Sequence, residues 1–191
     1  MADDDAGARE EVHEEQAVPE PPADEVAAAV LQRFPECVFF ESHGQPVVHA
    51  PREQWHDIAA FLRDEQQFTQ CVDVAAVDQL VAPARAIPAA VDAERFEVVA
   101  NYLSHVRNRR IRVIAQVPVD EPTIASISDL YPGVNFAERE TYDLFGIEFE
   151  GHPDLTRILM PDDWEGHPLR KDYAVGRIPV QFKAAPGNPP R

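Results

Sequence analysis

The sequence predicts an α+β fold, a two-layer domain in which a mixed β-sheet packs against helices. Two segments carry apolar residues at helical spacing, several others alternate apolar and polar residues as strands do, and the helices and strands do not alternate regularly along the chain. With 191 residues, 45% of them hydrophobic, the chain can build one substantial core and still carry additional segments. We therefore divide it into an acidic leader (1–23), an α+β domain (24–149) and a C-terminal tail (150–191).

The leader is predicted to be disordered. Residues 1–25 contain ten acidic residues and one basic residue, Arg9, and so hold −9 of the chain's net charge of −17. A segment with so few large apolar side chains cannot bury enough surface to offset the entropy of ordering it. Deletion of residues 1–22 is therefore expected to leave folding and assembly unchanged.

The first half of the domain is predicted to be a helix, a hairpin and a second helix. Asp24 can cap a helix that runs through about Phe34. Short apolar runs at residues 38–40 and 47–49 are separated by the turn residues 42–44, a pattern typical of a β-hairpin. The next segment places its apolar residues at i, i+3, i+4 and i+7, which predicts one buried helical face formed by Trp55, Ile58, Ala59 and Leu62.

The second half of the domain is predicted to be mostly strands. Residues 68–77 have strand character, whereas residues 81–93 are rich in Ala and Pro, lack periodicity and indicate a surface loop. Alternating apolar residues at 96–102 and 111–117 predict a second hairpin. The basic stretch 107–110 is placed in the turn between these two strands.

Charge and cysteine content exclude several functions. A net charge of −17 argues against binding of nucleic acid, which requires a concentrated positive field. The arginines at positions 107, 109, 110 and 112 are a solvated hairpin tip, a docking surface for acidic groups of a partner, or a contact with nucleic acid. Cys37 and Cys71 have no second cysteine at metal-ligand spacing and are predicted to be buried free thiols.

No part of the sequence predicts a membrane span or a secretion signal. No stretch approaches about 18 consecutive apolar residues. The first residues are acidic, without the basic-then-apolar order of a signal peptide. The chain is therefore expected to stay in the cytosol.

A third helix is predicted over residues 136–145. Asn135 can cap its start, with Glu138 at the third helical position, and Gly146 is suited to the positive φ that ends many helices. On a helical wheel Glu138 falls within the apolar arc. Because an unpaired buried carboxylate is costly, we expect Glu138 to meet an arginine or backbone N–H groups where the helix joins the tail.

The neighbouring charged residues of this helix are predicted to be more exposed. The wheel places Arg139 on the opposite, polar side, and Glu140 and Asp143 nearer the polar face, where they can meet other proteins.

Replacing Glu138 by Gln is expected to reduce the stability of the fold by about 1–3 kcal/mol if a charged partner is left unpaired.

The tail is predicted to be extended and to need a surface outside the domain. Seven of the chain's 18 prolines lie in residues 150–191 and block long helices and interior strands. We expect the tail to bind a partner, and removal of residues 151–191 to leave a folded domain without partner binding.

Catalytic motifs are absent from the sequence. A metal-dependent hydrolase would need ligands from the set His152, Asp154, Asp162, Asp163 and His167. Their spacing is unconvincing, since the chain has no HExxH motif on a helix, no nucleophile motif and no phosphate-binding glycine loop. We expect no catalytic residue, metal or cofactor in this chain.

From Glu138 onward the sequence carries one compound pattern. It is Glu-Arg-Glu, two free positions, Asp, two large apolar residues and Gly, followed by a basic residue, an Arg with two aliphatic residues, and the run 164–173. The residues that carry it here are Glu138, Arg139, Glu140, Asp143, Leu144, Phe145, Gly146, His152, Arg157, Ile158, Leu159, Trp164, His167, Pro168, Arg170, Lys171, Asp172 and Tyr173. This pattern resembles the signature of the 30 kDa-type subunit of proton-translocating NADH:quinone oxidoreductase, or respiratory complex I.

The resemblance implies a subunit without redox groups in the peripheral arm of that enzyme. The FMN and iron–sulfur clusters would belong to partner subunits, and the tail would lie on the quinone-site subunit, near the iron–sulfur subunits. The chain would reach the cytoplasmic side of the cell membrane only through the complex. An equivalent subunit of a deazaflavin-dependent dehydrogenase or membrane-bound hydrogenase stays open as an alternative, which the neighbouring genes would decide.

Overall fold

The computed structural model describes residues 24–82 and 87–174, and the predictions for the leader and for residues 175–191 lie outside this part. The elements, in chain order, are α1 (Glu25–Arg33), β1 (Val38–Ser42), β2 (Gln45–Ala50), α2 (Trp55–Asp64), β3 (Gln70–Asp78), β4 (Phe96–Ser104), β5 (Arg109–Val117), β6 (Thr123–Ala125), α3 (Val134–Phe145) and β7 (Glu148–Glu150). A mixed sheet packed against helices confirms the predicted fold class.

The main sheet has the strand order β1-β2-β5-β4-β3. Its neighbouring strands are antiparallel except for β2 and β5, which run parallel and make the sheet mixed. Strands β6 and β7 form a separate parallel pair, in which Ile124 lies opposite Phe149. Both side chains are buried, so this pair contributes to the core.

The local signals at the start of the domain are confirmed. The Asp24 carboxylate accepts the backbone N–H groups of Val26 and Ala27, each at 3.0 Å, and so caps α1. His43 and Gly44 both have positive φ, as the tight turn between β1 and β2 requires. Helix α2 begins at Trp55, directly after a short 3-10 turn over Arg52–Gln54.

The core lies between one face of the main sheet and the helices. Alternate residues of β4 and β5 point into it, because successive side chains of a strand face opposite sides. The predicted face of α2 is confirmed, because Trp55, Ile58, Ala59 and Leu62 are buried. In α1, Val26 and Val30 face the core.

Several predicted boundaries are wrong. Strand β3 is shifted from 68–77 to 70–78, and the turn between β4 and β5 is formed by residues 105–108, so that Arg109 and Arg110 lie in β5. The sequence does not predict the small β6–β7 pair. Strand β7 also crosses the boundary between domain and tail that the sequence suggests, because it continues to residue 150. The described residues of the 81–93 segment form a loop, as expected.

The start of α3 also differs from the prediction. The helix begins at Val134, with Gly133 as its N-cap residue, so that Asn135 lies inside the helix and is not its cap. Burial of the Val134 side chain, which is 2% exposed, explains the earlier start. At the other end Gly146 has φ +70° and ends the helix, as predicted.

Both cysteines are free thiols. Cys37 is buried, whereas Cys71 is half-buried, so the prediction of full burial holds for Cys37 alone. Burial raises the pKa of both thiols to about 12, which keeps them protonated and unreactive at neutral pH.

Candidate partner interface of helix α3 and the tail

Residues 151–174, which we name the proximal tail, pack on the end of α3. An α-helix leaves its last carbonyl groups without donors inside the helix, and these groups carry a partial negative charge. In α3 the missing donors come from the proximal tail. This segment therefore packs on its own domain, a surface that the sequence does not predict for it.

Arg170 and Leu169 bind the last carbonyl groups of α3. The Arg170 guanidinium donates to the carbonyl groups of Phe145 at 2.5 Å and Gly146 at 3.2 Å. The Leu169 N–H donates to the Leu144 carbonyl at 3.0 Å. A cation at the negative end of the helix dipole is favourable, which explains why an arginine stands here.

His167 completes this cap. Its Nδ1 lies 3.0 Å from the Asp143 carbonyl oxygen and must donate a proton to it, since a carbonyl can only accept. Burial, followed by the nearby Arg170 and Arg157 charges, lowers the pKa of His167 and keeps it neutral. A Cβ atom at Gly146 would clash with the His167 ring and lie 2.7 Å from Arg170 Nη2, so the close approach requires glycine.

Asp143 is the central anchor of the proximal tail. Its buried carboxylate accepts the consecutive backbone N–H groups of Ile158, Leu159 and Met160, at 2.7–3.0 Å, through one oxygen. The other oxygen lies 2.6 Å from Nη1 of Arg157. Burial alone would raise the pKa of Asp143, but these N–H groups and the arginine outweigh it and lower the pKa.

This placement contradicts the predicted exposure of Asp143. The helical wheel puts the residue near the polar face, and that face is covered by the proximal tail. Arg139 lies there too and binds the tail, donating to the Thr156 and Arg157 carbonyl groups at 3.0 Å. Glu140 is exposed, as predicted.

Glu138 is buried on the other side of α3. Its carboxylate accepts the Ile127 N–H at 2.8 Å and the Ser126 hydroxyl at 2.6 Å. One backbone N–H group binds Glu138, but it belongs to the loop after β6, so the predicted location at the join of helix and tail is wrong. No described arginine or lysine pairs with this carboxylate. Burial raises the pKa of Glu138 to about 7 despite these two hydrogen bonds.

The far end of the proximal tail is fixed to the main sheet. The Lys171 N–H donates to the buried Asp78 carboxylate at 2.8 Å. Arg95 bridges Asp78 and Asp172, with N···O distances of 2.8 Å and 2.7 Å. Burial opposes ionisation of Asp78, but Arg95 and the N–H donors lower its pKa to about 2.

Sequence reasoning missed Asp78 and Arg95. Asp78 continues the inward alternation of Val74 and Ala76 on β3, so it places a carboxylate where an apolar residue is expected. The same argument that identifies Glu138 as needing a partner applies to Asp78.

The remaining signature residues lie in turns of the proximal tail. Trp164 is half-buried and its backbone N–H closes a turn on the Pro161 carbonyl, and Tyr173 packs over Gly166. Pro168 is half-buried between His167 and Leu169.

His152 is a turn residue rather than a free ligand. It donates from Nε2 to the Asn135 carbonyl and accepts the Asp154 N–H at Nδ1, a pattern that requires the neutral ring. Its Nε2 lies 3.9 Å from a Glu138 oxygen, beyond hydrogen-bond distance. His152 therefore does not supply the charged partner expected for Glu138.

The candidate hydrolase ligands do not gather into a metal site. In residues 24–82 and 87–174, no three His, Cys, Asp or Glu side chains lie close enough together to hold a metal ion. His152 and His167 are each engaged by backbone groups of α3, and Asp154, Asp162 and Asp163 are exposed.

Four apolar side chains of α3 and the proximal tail are exposed to solvent. Phe136 is 61% exposed on the first turn of α3, and Leu159 and Leu169 are 54% and 44% exposed on the tail. Ile158 adds a fourth partly exposed apolar side chain. Exposed acidic residues, among them Glu140, Asp154 and Asp162, lie on the same two segments. Exposed apolar side chains with polar neighbours are found at surfaces that bind proteins. We name the four apolar residues the apolar outer face.

The fold is thus a small α+β domain whose third helix is covered by the proximal tail. A family profile described as respiratory-chain NADH dehydrogenase, 30 Kd subunit, matches residues 48–178. The chain belongs to this family.

Relatives support the same assignment. A subunit of NADH-quinone oxidoreductase from Salinispora arenicola is 42% identical over 176 residues, which cover 87% of this chain and 67% of that protein. Its counterpart from a Nocardioides species is 44% identical over 149 residues, 77% of this chain and 56% of the relative. The chain thus spans little more than half the length of some relatives.

Two solved structures share the fold. The trypsin-resistant fragment of Nqo5 is 34% identical, with a TM-score of 0.58, and the match covers 66% of this chain and 97% of the fragment. A chain of an archaeal membrane-bound sulfane sulfur reductase has a TM-score of 0.61 over 85% of this chain and 95% of its own, at 23% identity. At that identity the second likeness concerns the fold alone.

Proposed function

We propose that this chain is a non-redox subunit of the peripheral arm of NADH-quinone oxidoreductase, in which the apolar outer face binds the quinone-site subunit. The observation that carries the proposal is the anchored proximal tail. Its backbone binds Asp143 and Asp78, while the side chains of Leu159 and Leu169 are exposed. A pre-ordered surface binds more tightly because less entropy is lost on association.

The family match and the relatives, which are subunits of NADH-quinone oxidoreductase, favour NADH as the electron donor of the whole complex. The FMN and iron–sulfur clusters belong to partner subunits, and neighbouring iron–sulfur subunits contact this chain. None of the described helices is long and apolar enough to cross a membrane. We propose that the chain is held at the cytoplasmic side of the cell membrane through the complex.

The outer face can be tested by placing charges on it. In a strain with tagged complex, the double variant Leu159→Glu and Leu169→Glu should keep the melting temperature of the isolated chain, because both side chains are exposed. It should fail to co-purify with the complex and should abolish NADH:quinone activity in membranes, since buried unpaired carboxylates oppose association.

Val72→Glu is the matched control, because Val72 is 53% exposed on the edge strand β3 and outside the outer face. Normal incorporation of the Leu159/Leu169 double variant would refute the proposed interface. Loss of incorporation for Val72→Glu alone would move the interface to β3.

A further inference from the structure

The arginines of the β4–β5 hairpin do not all point to the same side of the main sheet. The core, with the buried residues of α1 and α2, lies on the side to which Ile111 of β5 points. Side chains alternate along a strand, so Arg109 points to this core side, whereas Arg110 and Arg112 point to the opposite side. We name this opposite side the second sheet face.

Arg107 and Arg109 lie near acidic groups of this chain. They line a cleft of about 350 Å³ together with Asp24 and Glu25, at the start of α1. Arg110 is exposed and does not line that cleft, and within residues 24–82 and 87–174 it forms no ion pair. Four other arginines do pair with carboxylates of the chain: Arg52, Arg63, Arg95 and Arg157. The charge of Arg110 is therefore available to a partner.

A second cleft passes Arg110 at one end of the second sheet face. It has a volume of about 490 Å³ and lies between the turn that joins β1 to β2 and the tip of the β4–β5 hairpin. Its lining includes two amide residues, Gln45 and Asn108, and the apolar Leu103. Arg109 lines both clefts, and none of the described residues that line this one carries a carboxylate. The cleft therefore presents N–H donors and positive charge next to an apolar side chain.

The strand register fixes the spacing of these groups. Leu103 of β4 lies directly opposite Arg110 of β5, so their side chains are neighbours on the second sheet face. Arg112 lies two residues farther along β5, roughly 7 Å from Arg110 along the strand. The Arg112 guanidinium is held by the Asn101 side chain at 3.1 Å. An extended segment with carboxylates two residues apart has the same spacing and can pair one carboxylate with each arginine.

We propose that an acidic segment of another subunit of the complex binds this cleft, with carboxylates on Arg110 and Arg112 and an apolar side chain on Leu103. A guanidinium group can bind a carboxylate through two N–H groups, which favours arginine at such a contact. A net charge of −17 repels long polyanions, so a short acidic segment of a protein fits this cleft better than nucleic acid does. The contact is separate from the apolar outer face and does not depend on it.

A carbodiimide tests this contact in membranes that contain the assembled complex, because it joins a lysine amine directly to a carboxylate without a spacer. The Arg110→Lys variant keeps the positive charge, and the sequence otherwise has lysines only at positions 171 and 183. Arg33→Lys is the matched control, because Arg33 is exposed on α1, outside both clefts. Mass spectrometry of the linked peptides identifies the carboxylate and the subunit that carries it.

We expect the Arg110→Lys variant to link position 110 to an aspartate or glutamate of another subunit, and Arg33→Lys to give no link to that peptide. Assembled Arg110→Lys complex without such a link would overturn the proposal. Links from position 110 only to acidic residues of this chain, or to a second copy of it, would also overturn it.

Charge reversal gives an independent measure of the same contact. When it is expressed together with the wild-type chain, Arg110→Glu should enter the complex roughly three- to tenfold less often, because carboxylates then face each other across the contact. Its melting temperature should be unchanged, since Arg110 is exposed. Arg33→Glu should compete equally with the wild type. Equal incorporation of Arg110→Glu and the wild-type chain would overturn the proposal.

Discussion

Glu138 and Asp143 both bury a carboxylate on α3, yet their surroundings shift the two pKa values in opposite directions. Glu138 has one N–H donor and one hydroxyl donor, and the effect of burial on its pKa is larger than theirs. Asp143 has three N–H donors and an arginine, which together outweigh burial. The balance between burial and the number and charge of the donors decides the direction of each pKa shift.

The first prediction concerns Glu138→Gln. A folded-state pKa near 7, above the ordinary value of 4.5, means that the native state binds more protons between these values, so the stability from Glu138 falls as pH rises through this window. Glutamine keeps an acceptor for the Ile127 N–H and cannot ionise. The variant should match the wild type near pH 5 and exceed it by on the order of 2 kcal/mol at pH 8.

Urea unfolding at pH 5, 6, 7 and 8 measures this difference. The expectation replaces the sequence-based one of a loss of about 1–3 kcal/mol, which assumes a charged partner that the described residues do not supply. A wild type that is more stable than Glu138→Gln at pH 8 would show that the carboxylate is ionised and well bound.

The second prediction is that Asp143→Asn destabilises the chain by roughly 2–4 kcal/mol, because Arg157 loses its carboxylate partner inside the structure. The folded pKa of Asp143 is lowered, so its stabilisation is present above pH 3.8 and is lost as pH falls through the folded value. Its pH dependence is thus opposite in sign to that of Glu138.

Glu140→Gln is the matched control on the same helix, since Glu140 is exposed and should change stability by less than about 0.5 kcal/mol. Denaturant midpoints at pH 7 and limited proteolysis near residues 157–160 give the two readouts. Equal midpoints and equal proteolysis for Asp143→Asn and the wild type would mean that Asp143 does not anchor the tail.

At the scale of elements, the end of α3 depends on one glycine. Gly146→Ala should destabilise the chain by about 1–3 kcal/mol, because a non-glycine residue at φ +70° is strained and its Cβ displaces His167 and Arg170. Gly133→Ala, at the other end of α3, is the control: its φ is −66° and no atom lies within 4 Å of the added Cβ.

Thermal unfolding and amide exchange of Leu169 report on this change, because the Leu169 N–H binds the end of α3. Faster exchange should appear in Gly146→Ala and be absent in Gly133→Ala. If both variants behave alike, the close packing of the tail on Gly146 is not needed for its position.

Elements with a long periodic pattern can be predicted from the sequence, and short ones cannot. Helix α2 and the β4–β5 hairpin have several apolar residues at regular spacing, which fixes their buried faces. Strands β6 and β7 have three residues each, too few for a period to be recognised. The sequence places the hairpin turn too late because Arg109 and Arg110 look like turn residues but continue β5.

The anchoring of the tail has no local signal. Arg170 and Leu169 bind backbone carbonyl groups more than 20 residues away, and such groups are present at every position of a sequence. Only the buried acidic residues can be recognised from the sequence, because a carboxylate on a buried face needs a donor. Helical phase identifies Glu138, whereas it misses Asp143 because the wheel does not show that the tail covers the polar face.

At the scale of the whole molecule, the proximal tail belongs to the folded unit. Removing residues 151–191 would take away all the donors of Asp143, the Lys171 donor of Asp78 and the packing of the tail on the end of α3, so we expect residues 1–150 to lose several kcal/mol of stability. A chain ending at residue 174 keeps these contacts and should unfold at the same urea concentration as the full chain. Unfolding curves of both truncated chains make the comparison.

Equal stability of the 1–150 and full-length chains would restore the sequence-based expectation that the tail is separable from the domain. Loss of stability on ending the chain at residue 174 would instead show that residues 175–191 contribute to the fold.

The proposed role of the molecule depends on contact between the apolar outer face and the quinone-site subunit of NADH-quinone oxidoreductase. Photo-crosslinking in native membranes tests this contact most directly, with a photoreactive phenylalanine derivative at position 159 or 169 and, as controls, at the exposed positions 72 and 106. We expect positions 159 and 169 to link this chain to the quinone-site subunit. Links to other subunits from 72 and 106, with none from 159 or 169, would contradict the proposed contact.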